Sequence, residues 1–205
     1  LHVTLLLTHL ACADEPAHPL NGLQLERFAA ARSAFPGVPV SIGNSAAILA
    51  GGGAGDLGRP GIGLYGGNPF PAMANPMADV ATLEGRVLQV RTVPAHESVG
   101  YGASFRAAMP LEVAVVGIGY ADGLPRALGN RGSVWVAGAR RPIVGRVSMD
   151  LTEVDVTGLG VRDGDWVEFF GAHIPLGEVA ECAGTIDYEL LTRLGRRLER
   201  VYSGL

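Results

Sequence analysis

The chain has 205 residues, 48% of them hydrophobic, and a net charge of −4 at pH 7. That length and apolar share support a folded core, the slight acidity gives no reason to expect a nucleic-acid partner, and no apolar run approaches the ~18 residues of a membrane span. Cys12 and Cys182 lie far apart and outside any metal-ligand spacing, so they read as free thiols, compatible with the cytoplasm, and no metal site is expected.

Residues 2–7 are an apolar run that reads as a buried parallel strand. The run lacks the basic stretch and small-residue cleavage site of a secretory leader, and with no methionine at position 1 the chain is expected to begin inside a domain. Residues 21–35 read as a helix with Leu23, Phe28 and Ala31 on one face, stopped by Pro36 and Gly37. A second strand is expected at 38–43, a small helix capped by Asn44 at 45–49, and a third strand at 57–64. This alternation, with polar residues just after strand ends, is the βαβ pattern of a parallel sheet. Residues 66–83 hold three prolines and two asparagines and read as a linker.

From Glu84 the pattern changes to short strands with Gly-containing turns, at 86–90, 112–116, 133–136, 142–147, 151–156 and 165–170. That is an antiparallel β domain. Helices are expected at 176–183 and 188–198, the second with an arginine-rich last turn that suits the helix dipole. The expected class is α/β plus all-β, with domains at 1–83 and 84–205.

Several residues stand where chemistry is plausible. Apolar runs at 85–93 and 111–118 flank a turn that presents Tyr101 between Gly100 and Gly102, where the ring either packs on its own strands or is offered to a ligand or second chain. His9 follows the first strand, as a loop histidine or a ring contact. Ser45 opens a helix, where its hydroxyl serves a cap or a phosphate. Arg59 in GRPGIG is a surface charge or a ligand contact, beside Gly61 and Ile62 with N–H groups suited to a phosphate and Pro60 stiffening the approach.

Six motifs in order, THLACADE, GNSAAIL, GRPGIGLYG, GYGASF, GYADGLPR and GRVSMD, resemble the alanine racemase family of fold-type III pyridoxal-phosphate enzymes over nearly the whole chain. The resemblance implies the last three units of a (β/α)8 barrel in 1–83, followed by an antiparallel β domain with two C-terminal helices in 84–205. It also implies interconversion of L-alanine and D-alanine, which supplies D-alanine for peptidoglycan, by a cytoplasmic homodimer whose active site is shared between subunits. In that frame Tyr101 is a catalytic base and substrate contact reaching in from the partner subunit. His9 lies against the pyridine face of pyridoxal 5'-phosphate, Arg59 hydrogen-bonds the pyridine nitrogen, and Ser45, Gly61, Ile62 and Tyr188 hold the phosphate. The Met149 N–H contacts the substrate carboxylate, although the methionine side chain by itself reads as core. Asp14, Tyr120, Arg126, Arg146 and Ile186 gate the substrate corridor. Ser148 stands where many members of the family have cysteine.

The chemistry demands such a set. Racemisation needs an acid/base group on each face of the α-carbon, one to remove the proton and one to return it from the opposite side. A phenol ionises near pH ~10 when unperturbed, so a tyrosine base calls for positive charge nearby. A guanidinium stays charged at any working pH, so Arg59 gives the pyridine nitrogen a hydrogen bond without a full proton, which favours return of the α-proton over transamination. The other base in the family is the lysine that carries the cofactor, and here all 16 basic residues are arginine. The chain is therefore expected to be the C-terminal portion of an alanine racemase, inactive by itself. Two alternatives are a catalytically silent dimerisation module and an amino-acid racemase of broader specificity.

Overall fold

The computed structural model describes residues 2–204, which divide between Ala78 and Asp79 into two units. In the first, β1 (Leu6–Leu7) and β2 (Val40–Ser41) pair in parallel, Leu6 opposite Val40. Between them runs α1 (Pro19–Arg32), with proline in its first turn and the His18 ring accepting the Leu20 N–H at 3.2 Å. The helix sits a few residues earlier than the expected 21–35, because Asn21 is drawn inward and its side chain donates to the Cys12 and Glu15 carbonyls at 3.0 Å each. Leu23, expected on the buried face, is exposed. A short helix, α2 (Ser45–Leu49), starts at Asn44, whose side-chain oxygen accepts the Ala47 N–H at 3.2 Å. Leu10, Ala13, Ala46, Ala47 and Phe70 form this unit's small core.

Three expectations change here. The first strand shortens from 2–7 to two residues. Residues 57–64 are no strand: Pro60 adopts αR backbone, Gly63 donates back to its carbonyl at 3.0 Å, and a 3-10 turn runs over Gly61–Tyr65. The proline and three glycines of that stretch, at 58, 61 and 63, override its apolar residues. Residues 66–83 are not all linker, since Phe70 is buried in the core and the Asn68 side chain holds the Phe70 N–H at 2.9 Å.

The second unit is a six-stranded sheet built from β3 (Leu83–Val93), β6 (Leu111–Val116), β7 (Ser133–Val136), β8 (Ala139–Pro142), β9 (Thr152–Asp155) and β10 (Trp166–Phe170). The order is β8-β7-β10-β3-β6-β9, with every neighbouring pair antiparallel. An Ile143–Val154 bridge and the Val144 N–H to Glu153 carbonyl bond at 2.9 Å join the two edges, closing the sheet into a barrel. Its interior is filled by Leu83, Val87, Val116, Val134, Val136, Val154, Val167 and Phe169. The expected strand at 142–147 is displaced to Ala139–Pro142: Ala137 (φ 48) and Gly138 (φ 78) make a two-residue hairpin turn directly after β7, and Gly145 (φ 80) breaks the later run.

Strand β6 buries apolar residues on both faces, which explains its mostly apolar sequence LEVAVV, interrupted only by the half-buried Glu112. Ala114 and Val116 face the barrel, while Leu111 and Val113 face a second core with Val93, Val99, Ala107 and Val144. A bulge between Val87 and Gln89 lets β3 contribute Val87 to the first core and Val93 to the second. On that second core sits a small hairpin of β4 (Ser98–Val99) and β5 (Phe105–Arg106). Helix α3 (Leu176–Ala183) packs against the barrel, and α4 (Asp187–Arg193) follows. The last helix stops well short of the expected 198, because Leu194 leaves helical backbone (φ −58, ψ 117) and the Gly195 N–H bonds the Asp122 carbonyl at 2.9 Å. Among the described residues no helix is long and apolar enough to cross a membrane.

Candidate active site

In the first unit the polar residues that follow strand ends gather around two turns. Ser45, 2% exposed, opens α2, and its hydroxyl oxygen accepts the Gly63 N–H at 3.1 Å. The 3-10 turn Gly61–Tyr65 thus begins against the start of α2. Turn starts leave N–H groups without intrahelical partners, and among the described residues those of Gly61 and Ile62 take none. A Cβ added at Gly63 would lie 3.4 Å from the Ser45 hydroxyl, so glycine there keeps the space beside that hydroxyl open. Together these atoms offer two N–H groups and one hydroxyl to an anion.

Arg59 leads into the same turn. Its guanidinium donates to the Ser41 hydroxyl and, at 2.6 Å, to the Thr8 carbonyl, so it is fixed across the ends of β1 and β2. The Ser41 hydroxyl in turn donates to the Leu57 carbonyl at 2.7 Å. His9, next to Thr8, is exposed, and its carbonyl accepts from the Gln24 side chain at 3.1 Å. The other end of that amide accepts the Ala11 N–H at 2.9 Å, so α1 clamps the His9 loop. Asp14 lies further along this loop, exposed. Ser41 and Gln24 stand outside the residues expected at the site. A polar residue at a strand's end was the available signal for Ser41, whereas nothing local marks Gln24.

In the second unit the hairpin β4–β5 lifts Tyr101 to its tip. Val99 at the base is fully buried, while Tyr101 is 72% exposed, so the ring is not packed on its own strands. The turn reverses through Gly100 (φ 72) and Gly102 (φ 70), backbone that side chains with a Cβ adopt at a cost. Gly102 also admits Arg146: a Cβ there would sit 2.9 Å from the Arg146 Nη1 atom.

Tyr120 opens a 3-10 turn, Tyr120–Asp122, seated directly on the 148–149 segment. Tyr120 and Ala121 donate their N–H groups to the Ser148 and Met149 carbonyls at 3.0 and 2.9 Å. A Cβ on Gly119 would be 2.4 Å from the Met149 carbonyl oxygen, so only glycine permits this approach. Buried Asp122 accepts the Gly119 N–H at 2.9 Å and pairs with Arg197 at 3.2 Å, and Arg197 also holds Asp150 at 2.6 Å. Tyr101, Tyr120, Arg126, Arg146, Ser148, Met149 and Asp150 consequently line one groove, of about 380 Å³. The Met149 side chain, read from sequence as core, is 53% exposed, because its segment runs along the groove rather than under the sheet. Its N–H takes no partner among the described residues.

A neighbouring concavity continues past Tyr101 to Arg91, Leu151 and Glu153. Burial pushes the Glu153 carboxyl up, against the pull of its own backbone N–H and of Arg91. Ile186 and Tyr188 belong to the first turn of α4 and do not line the groove.

Residues 80–202 match the family model described as "Alanine racemase, C-terminal domain", and residues 1–69 match "Alanine racemase, N-terminal domain". The chain is 49% identical to the alanine racemase of Rhodospirillum rubrum, covering 98% of this chain and 55% of that protein. It is 48% identical to the catabolic alanine racemase of Agrobacterium fabrum, covering 98% of this chain and 53% of that protein. Among solved structures, the alanine racemase from Bartonella henselae with covalently bound pyridoxal phosphate superposes with a TM-score of 0.89 at 42% identity, over 98% of this chain and 56% of that one. The Streptomyces coelicolor enzyme does so with a TM-score of 0.89 at 37% identity, over 97% and 56%. The chain spans about half the length of the curated relatives it matches.

Proposed function

The chain belongs to the alanine racemase family, and from that premise we propose that it forms part of a pyridoxal-phosphate-dependent enzyme interconverting L- and D-alanine. On this reading the first unit is the end of a (β/α)8 barrel and the second carries the tyrosine base. The product D-alanine serves peptidoglycan in the cytoplasm.

The observation that carries the reading is the groove itself, where Tyr101, Tyr120, Arg126 and Arg146 stand around the unpaired Met149 N–H. Residues of the first unit fit the cofactor. The Ser45 hydroxyl and the unpartnered N–H groups of Gly61 and Ile62 suit its phosphate, and Arg59, held by Thr8 and Ser41, suits the ring nitrogen, with His9 beside it. When bound, the cofactor withdraws electrons from the α-carbon and so acidifies its hydrogen. The Met149 N–H binds the substrate carboxylate, and the Tyr101 hydroxyl removes or returns the α-hydrogen on one face. Tyr120, Arg126 and Arg146 line the approach, while Asp14 and Ile186 are assigned to the substrate corridor, and Tyr188 to the phosphate, by the family resemblance alone. Tyr101 and Met149 stand exposed on an open groove, which supports a homodimer in which a second copy supplies the other wall and excludes water.

The other base must be a lysine from outside these residues, since the 205 contain none. The test joins this chain to the remaining part of the Rhodospirillum rubrum relative, adds pyridoxal phosphate, and follows conversion of L-alanine together with α-deuterium uptake from D₂O. The joined protein racemises alanine and the 205-residue chain alone does not. Tyr101→Phe lowers exchange on L-alanine by about 10²- to 10⁴-fold with little change in KM, and leaves exchange on D-alanine, the enantiomer served by the lysine. Wild-type exchange on both enantiomers in Tyr101→Phe would reject the tyrosine's role.

A further inference from the structure

We propose that Asn130 is a positioning residue for Tyr101, its side-chain amide locking the tyrosine-bearing turn to the segment that carries Arg146. The inference rests on Tyr101 being the base proposed above. Asn130 follows the 3-10 turn Arg126–Leu128 and stands in left-handed backbone (φ 58), a conformation that asparagine tolerates better than most residues. Its Oδ1 accepts the Gly145 N–H at 2.7 Å, and its Nδ2 donates to the Ser104 carbonyl at 3.2 Å and to the Ser104 hydroxyl at 3.3 Å. The partners dictate this orientation of the amide: a backbone N–H requires the oxygen and a backbone carbonyl requires the nitrogen.

Both anchored points matter to the tyrosine. Ser104 ends the turn that begins at Tyr101, and that turn contains Gly102 and Ala103 in left-handed backbone (φ 70 and 46). Left-handed backbone is unfavourable at a residue with a Cβ, so it persists where the surroundings over-determine it. The 72% exposed Tyr101 ring contributes little to that restraint. Gly145 immediately precedes Arg146, whose guanidinium lies against Gly102. One amide therefore ties together three stretches of chain, at 104, 130 and 145, and fixes where the phenol and the guanidinium stand relative to each other. Aspartate would keep the Gly145 bond and turn the bond to the Ser104 carbonyl into a repulsion; glycine would keep the backbone conformation and lose all three bonds.

The test uses the joined racemase with pyridoxal phosphate bound. Asn130→Gly, Asn130→Asp, Ser104→Ala and Tyr101→Phe are compared by kcat and KM in each direction and by α-deuterium uptake on L- and D-alanine separately. Small displacements of a reacting group cost up to about 10²-fold, so Asn130→Gly lowers L-alanine exchange by roughly ten- to a hundredfold, mainly in kcat, and leaves D-alanine exchange within about twofold. Asn130→Asp shows the same one-sided loss to a smaller extent, and carries the test if the glycine variant does not fold. Ser104→Ala, which keeps the backbone carbonyl, stays near wild type. Equal loss on both enantiomers, or no loss on either, overturns the positioning role. If Tyr101→Phe loses L-alanine exchange and the Asn130 variants do not, only this proposal falls. If Tyr101→Phe itself keeps that exchange, the assignment of the base falls first and this proposal with it.

Discussion

At the edge of the Tyr101 groove, Glu153 keeps one carboxylate oxygen buried without a hydrogen-bond partner. Val115 of β6 lies between it and Gln89, and Arg91 two residues along β3 only partly offsets the burial. A carboxyl whose folded pKa is raised holds its proton more tightly in the folded state, so stability falls as pH rises from the ordinary value of 4.5 through the folded one. Glu153→Gln removes that decline. The variant is expected to be more stable than wild type at pH 7 by about 1 kcal/mol, the scale of an unmade hydrogen bond, with the difference shrinking towards pH 4. Urea midpoints at the two pH values check it, and a loss of stability at pH 7 would mean that the carboxylate is needed. Asn130 is likewise bound to distant stretches of chain. Its GNRG setting reads from sequence as a turn, but its partners lie 26 and 15 residues away and no local pattern names them.

Among elements, β10 and the loop after it show how a buried carboxylate organises a turn. Glu168 is 7% exposed, accepts the N–H groups of His173 and Ile174 at 2.8 and 2.9 Å, and meets the His173 ring nitrogen at 2.8 Å. The ring in turn stacks on Trp135 of β7, with centroids 4.5 Å apart. Burial pushes the Glu168 carboxyl up, but the bonds from the His173 ring, Ile174 and His173 outweigh it and the net shift is downward. A lowered carboxyl contributes stability that is present above the ordinary value of 4.5 and is lost as pH falls through the folded value. Glu168→Gln should therefore cost about 1.5–3 kcal/mol at pH 7 and flatten the acid limb of the thermal midpoint against pH. An unchanged acid limb would assign that pH dependence elsewhere. The β7–β8 hairpin was legible in principle from Ala137 and Gly138, whereas the end of α4 was not: its stop is set by Asp122, far away in sequence.

Across the whole molecule the two units differ in what holds them. Among the described residues the first has a small core of Leu10, three alanines and Phe70, and its two-stranded sheet leaves its strands with open edges. The second closes a six-stranded barrel over a large apolar core. Amide hydrogen exchange on this chain is expected to show fast opening through residues 2–78 and strong protection in β3, β6 and β10, because local stability follows buried apolar surface. Equal protection in both units would contradict this.

Sequence by itself determined the family, through six ordered motifs built around turn residues, and it determined the antiparallel character of the second unit, through short β-branched runs between glycines. Those signals are local: a turn residue and its neighbours meet the same steric limits wherever the chain goes. The sequence also named Tyr101, Arg146 and Met149 as separate candidates. Tertiary structure alone brought them to one groove, because the closing of β8 onto β9, the second core under the hairpin and the seat of Gly119 on the 148–149 segment are contacts between distant stretches. It also decided that residues 57–64 turn rather than extend and that Met149 faces outward. Composition leaves an apolar run free to be strand, turn or groove wall; what it packs against makes the choice.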